Sequence, residues 1–226
     1  MTATRIPAAP ANLIDRAVAP RGAKRAIPVK WWASLGAFFI ALQAYVFIHW
    51  IASGQAKRVP TGPTPVPDWM KASIVSQEAL SIAGLVVCIY IFMVRPWRRE
   101  RRLSFDAMFM LAVALTWWQD PMYNYSQIWT TYNAYAFNFG SWAQSIPGWV
   151  SPHGNLYADP LLWSGPAYIW AMYLGAIIAN TVVDRARIRW PRLGTAGIIG
   201  VNYGFFLVMC FVIEAIWLRL GVYTYA

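Results

Sequence analysis

Histidine and cysteine are nearly missing from this chain of 226 residues. There are two of each, and none of them has the spacing of a metal site. Cys88 and Cys210 both fall inside apolar runs and read as small buried hydrophobes, so no disulfide framework is implied. Charge is scarce too: only 12% of residues are Asp, Glu, Lys or Arg, too few for an ordinary soluble domain. There is no phosphate loop, dinucleotide fingerprint or serine nucleophile elbow, and no internal repeat. Metal and cofactor chemistry therefore find no foothold in the sequence pattern.

What is present is apolar and aromatic. Hydrophobic residues make up 58% of the chain, with fourteen Trp and twelve Tyr, as expected of an integral membrane protein with aromatic belts at both interfaces. The net charge of +10 could point to nucleic acid, but the cations cluster beside apolar runs, where they set topology and meet anionic lipid. No nucleic-acid partner is expected.

The pattern predicts an all-α, polytopic transmembrane bundle of about five spans, at 31–53, 73–94, 105–119, 160–183 and 195–218. Each of the long runs can cross a hydrocarbon core of about 30 Å at about 1.5 Å per residue. Residues 1–30, with six basic residues and several Pro and Ala, read as a disordered tail, and residues 31–226 as a single bundle. No cleaved signal peptide is expected, because the first apolar run begins late and is long. The tail and the loops 95–102 and 184–192 hold fifteen of the nineteen Lys and Arg, while the other connectors are poor in them. The positive-inside rule then puts the N-terminus in the cytoplasm and the 54–72 and 120–159 connectors outside, together with the C-terminus.

The stretch from Trp117 to Trp149 is the least ordinary. Pro121 is expected to end or kink the third span. Aromatics and amides follow, among them Asn124, Tyr125, Asn133, Asn138 and Trp142, with no Lys or Arg. This composition fits a cap, 120–159, folded onto the membrane surface or over a cavity opening from it.

Carboxyls inside or beside spans are costly and tend to be functional or paired. Glu78 lies about one and a half turns from the outer end of the second span, Glu214 about one turn from that of the fifth, and Asp120 closes the third. These three are the candidate catalytic groups, expected at similar depth around one cavity. A carboxyl kept protonated by low dielectric could give a proton, and a neighbour could take one back. Aromatic faces would shelter an apolar substrate and stabilise positive charge on it. Alternatively, each acid is hydrogen-bonded within the bundle and holds helices together. Gln119, Asn124, Tyr125, Asn133, Asn138 and Trp142 are candidate substrate contacts, although the asparagines could equally satisfy the cap's own backbone. His153 is a candidate proton relay or simply a loop histidine.

The motif WWQDPMYNY, followed by TYNAYAFNFGSW and IPGW, resembles the AveC-like spirocyclase family of bacterial integral membrane proteins. The match rests on D-P-x-x-N-Y at Asp120, Pro121, Asn124 and Tyr125, then N-x-G-S-W at Asn138, Gly140, Ser141 and Trp142. It also takes in Gln119, Tyr132, Asn133 and the Pro147-Gly148-Trp149 triplet. The resemblance implies a protein of the bacterial inner membrane that cyclises a lipophilic hydroxylated ketone to a spiroketal, sometimes with dehydration, without a redox cofactor. A terpenoid-like substrate would ask for the same parts. The other reading is a non-catalytic membrane protein, either a lipid or small-molecule carrier or an accessory subunit within a larger membrane complex. A carrier should show broken helices in related halves, and only one proline-interrupted region is present.

Overall fold

Residues 28–225 are described by a computed structural model of the chain. The expected basic tail therefore lies outside the described residues except at its end, where Val29 and Lys30 already belong to the first helix. Four helices are long and apolar enough to cross a membrane. They are α1 (Val29–Ala52), α2 (Asp68–Glu100), α5 (Ser164–Arg189) and α6 (Thr195–Arg219). Between α2 and α5 lie two short helices, α3 (Phe105–Ala114) and α4 (Asp120–Asn124). Residues 28–40, the opening of α1, are the described part of one compact unit; the chain from Ala41 onward forms another, to which all tertiary contacts below belong.

Apolar side chains cover the outer surface of these helices: Ile199, Val208 and Phe211 on α6 are all well exposed, and α6 has no buried residue at all. In water such a surface would drive aggregation; lipid accepts it. Close packing is concentrated where small residues allow it. A Cβ on Gly84 of α2 would come within 2.9 Å of the Trp170 indole of α5, so the absent side chain is what lets these two helices meet.

The expected third span, 105–119, is not one helix. Ser104 caps α3 by accepting a hydrogen bond from the Ala107 amide, but α3 stops at Ala114. The Thr116 hydroxyl donates to the Val113 carbonyl, a tight turn covers Trp117–Gln119, and a new helix starts at Asp120. Pro121 does not break a helix as expected. It sits in the first turn of α4, where its missing N–H would have had no partner. The loops expected at 95–102 and 184–192 are partly helical, because arginine is a good helix former and α2 and α5 run on to Glu100 and Arg189.

The cap packs on one end of the bundle. Its contacts reach the last turns of α1, where Nδ1 of His49 and the Ser145 hydroxyl lie 3.0 Å apart. They also reach the first turns of α2, where the Asn133 amide donates to the Met70 sulfur. Trp142 is the centre. Its ring meets Phe47, Trp50 and Trp117 edge-on at centroid distances of 5.0, 5.7 and 4.8 Å, and its indole N–H donates to the Trp118 carbonyl. A strand the sequence pattern did not anticipate closes this end: β1 (Thr130–Tyr132) pairs antiparallel with β2 (Tyr223–Tyr225), Tyr132 opposite Tyr223.

Gly140 gives one element of the motif a physical reason. Its φ is +76°, and a Cβ there would lie 3.0 and 3.1 Å from the backbone carbonyls of Lys57 and Asn155, neither of which can swing aside. Gly140→Ala is expected to destabilise the cap by about 1–3 kcal/mol. Thermal unfolding in detergent, followed by tryptophan fluorescence, should show a lower midpoint; an unchanged midpoint would contradict the packing described. The topology is tested by cysteine labelling at Ser126, an exposed residue of the cap. In a Cys-free background, a cysteine at 126 is expected to react with an impermeant maleimide only from the side opposite the basic loops.

Candidate functional site

Asp120 is placed by the break described above. As the first residue of α4, outside the four long helices, it turns its carboxyl inward, and only 1% of it is exposed. Asn124, one turn later, donates its amide to Oδ2 at 2.7 Å. Tyr132, carried by β1, donates its hydroxyl to Oδ1 at 3.2 Å. No Lys or Arg forms an ion pair with this carboxyl among the described residues, whose three ion pairs all lie elsewhere. Burial pushes the Asp120 carboxyl up to about 6, and hydrogen bonds from Tyr168, Tyr132 and Asn124 pull against that rise.

The Asp120 carboxyl faces a cavity of about 230 Å³. Ser164, Tyr168 and Met172, on successive turns of α5, line it, as do Glu214 and Trp217 of α6. Tyr132, Tyr223 and Tyr225 roof it through the strand pair. The Tyr225 hydroxyl donates to Glu214 Oε2. The aromatic walls are packed edge to face, with Trp163 meeting Tyr132 at 5.7 Å and Trp217 at 5.0 Å.

The structure thus brings Asp120 and Glu214 to one cavity and places Glu78 elsewhere. Glu78 Oε1 accepts a hydrogen bond of 2.7 Å from the Phe137 amide and fastens the cap to α2. Similar depth along two helices did not mean a shared face. Of the other candidates, Asn124 lines the cavity and the rest do not. Gln119 accepts a hydrogen bond from the Tyr123 hydroxyl. Tyr125 is buried, stacked on Tyr157, with its hydroxyl donated to the Ala158 carbonyl. Asn133 holds the Gly221 carbonyl and the Tyr135 amide. Asn138 uses both ends of its amide on backbone, accepting from Val59 and Gly140 and donating to Ala134 and Ala136. Trp142 is the aromatic centre already described, and His153 lies exposed in a loop with φ +62°.

Sequence reasoning passed over Asp159, Ser164, Tyr168 and the two C-terminal tyrosines. Asp159 is fully enclosed; its Oδ1 accepts from the Ser164 hydroxyl, and its Oδ2 has no hydrogen-bonding partner among the described residues. Burial pushes this carboxyl well up, and the neighbouring Asp120 pushes it further, against the Ser164 hydrogen bond. One signal was available: the cap has two acids, at its two ends, and no cation between them.

Residues 100–226 match the family model described as spirocyclase AveC-like. The chain belongs to the AveC-like spirocyclase family. No curated protein and no solved structure matches it. The family match contains α3, the cap, α5, α6 and both strands, and hence every residue that lines the cavity; α1 and nearly all of α2 lie outside it.

The raised carboxyls give stability a pH dependence of definite sign. The Asp120 carboxyl is higher in the folded protein, about 6, than its ordinary 3.8, so the folded state holds the proton more tightly. Its contribution is fully present below the unfolded value and is lost as pH rises through the folded one. The unfolding midpoint in detergent is therefore expected to fall between about pH 4 and pH 7, and Asp120→Asn to flatten that slope. An Asp120→Asn profile superimposable on the wild type would refute the burial assigned to this group.

Proposed function

We propose that this AveC-like protein is a membrane cyclase that closes a lipophilic dihydroxy ketone into a spiroketal by carboxyl acid–base chemistry. The observation that carries the reading is the pairing of Asp120 and Glu214 across one cavity walled by aromatic rings. Spiroketal formation needs a proton given and a proton taken twice, in a dry chiral pocket. In the first step one substrate hydroxyl adds to the ketone. Protonated Asp120 gives its proton to the carbonyl oxygen, and Glu214 takes the proton of the attacking hydroxyl. In the second step Glu214 returns that proton to the hemiketal hydroxyl, which leaves as water. The second substrate hydroxyl attacks the resulting oxocarbenium ion and gives its proton to Asp120. Both carboxyls end as they began.

The walls suit the intermediate. The rings of Tyr132, Trp163, Trp217 and Tyr223 line the cavity, and aromatic faces stabilise positive charge. The cavity is smaller than the roughly 300–1,000 Å³ typical of pockets that enclose a whole ligand. It suits the reacting rings alone, with the rest of a polyketide- or terpenoid-like chain reaching lipid past Met172 and Tyr225, both about half exposed. The Lys/Arg alternation supports a site on the outer side of the membrane, which in a bacterium would be the inner membrane.

The test uses the purified protein in lipid nanodiscs with a synthetic dihydroxy ketone. The wild type is expected to form one spiroketal stereoisomer faster than buffer does. Asp120→Asn and Glu214→Gln are expected to keep the helical circular dichroism and lose about a hundred- to ten-thousand-fold in turnover. Full activity in either variant would sink the assignment of roles. A wild-type protein that only binds the ketone would favour a carrier.

A further inference from the structure

Asp159 has no part in the cycle above, yet it is fully enclosed, and a single hydroxyl separates it from the cavity. We propose that Asp159 and Ser164 form a proton reserve behind the cavity, in which the Ser164 hydroxyl carries a proton between the enclosed carboxyl and a substrate oxygen held beside Asp120.

The hydrogen bonds of Ser164 are built for two states. Its Oγ accepts from the Trp117 indole N–H at 3.0 Å, which leaves one lone pair and one proton. That proton has two acceptors at equal distance, Asp159 Oδ1 at 3.0 Å and the Pro160 carbonyl at 3.0 Å. When Asp159 is ionised, the hydroxyl donates to Oδ1. When Asp159 is protonated at Oδ1, it donates to Oγ, and the Ser164 proton turns to Pro160. Every polar atom of Ser164 is satisfied either way, so the carboxyl can change protonation without moving the chain. Oδ2, buried without a partner, disfavours the ionised form. The titratable groups near enough to act on Asp159 among the described residues are Asp120, Tyr125, Tyr132 and Tyr168, none of them a cation. Two coupled carboxyls in such a place hold one proton more readily than none.

The reserve matters when Asp120 is ionised. Asp159 then gives its Oδ1 proton to Ser164 Oγ as the Ser164 hydroxyl gives its own to the ketone oxygen, while Glu214 takes the proton of the attacking hydroxyl and returns it to the hemiketal hydroxyl. The C–O bond breaks and water leaves. The second substrate hydroxyl attacks the oxocarbenium ion, and its proton goes to Asp120. The pair begins and ends with one proton, now on Asp120, and the released water and Ser164 return it to Asp159. This step rests on the cyclase reading, whereas the storage of a proton on Asp159 does not.

The decisive measurement is infrared spectroscopy of the purified protein in nanodiscs, following the protonated-carboxyl band against pH and its shift on transfer to D₂O. The wild type is expected to keep a protonated carboxyl at neutral pH, and Asp159→Asn to remove that component. Ser164→Ala is expected to retain the band but to slow its deuteration at least tenfold, and Ser164→Thr, which restores a hydroxyl, to recover the rate. With an active ketone, Ser164→Ala should lose turnover selectively on the alkaline side of the pH profile. A band untouched by Asp159→Asn, or deuteration equally fast without the Ser164 hydroxyl, overturns the proposal. If the wild type turns over no ketone, the cyclase reading fails, and the band and its exchange still decide whether Asp159 holds the proton.

Discussion

Two carboxyl groups are enclosed in the cap of this protein without a cation, and much of the local structure follows from how they are solvated. An ionised carboxylate out of water needs hydrogen-bond donors or a counter-charge. Here the donors are neutral. Asn124 and Tyr132 hold Asp120, and Ser164 holds Asp159. Each donor also fixes an element. Asn124 orients the single turn of α4, Tyr132 locates β1, and Ser164 opens α5. Once β1 is located, its pairing with β2 brings Tyr223 and Tyr225 over the cavity. The roof is thus a consequence of satisfying one buried acid.

The rest of the cap's polar inventory is spent on the backbone. An irregular chain of forty residues near a membrane cannot leave its amides unpaired. Asn138 alone satisfies four backbone groups, and Asn133 ties the 133–135 turn to the chain just before β2. Glu78 does the same from α2 through the Phe137 amide. The motif that marks the family is therefore of two kinds. Asp120, Asn124 and Tyr132 face the cavity, while Asn138, Gly140, Ser141 and Trp142 hold the fold of the cap itself.

Hydropathy made four spans legible, because apolar run length is a local property of the chain. The broken third run was not legible: its composition is as apolar as a span, and the break depends on Thr116 bonding back to its own turn. Glu78 was misplaced because helical depth carries no information about facing direction. Asp159 and Ser164 escaped notice because their importance lies in a contact that only the folded cap creates. The β1–β2 pair is three residues on each strand, held by backbone bonds between segments some ninety positions apart, and no pattern of that length stands out.

The absence of Lys and Arg from 120–159 then acquires a chemical reason beyond topology. A guanidinium or ammonium beside Asp120 would stabilise the carboxylate and draw its titration down by one to three units. The acid would be solvated better and the fold would gain, but no proton would be available near neutral pH. Neutral donors give a different balance. They make burial tolerable while leaving the carboxyl high enough to give and accept a proton, at the expense of stability as pH rises through its titration. Amides and phenols in place of cations are thus the composition that the proposed acid–base site would require.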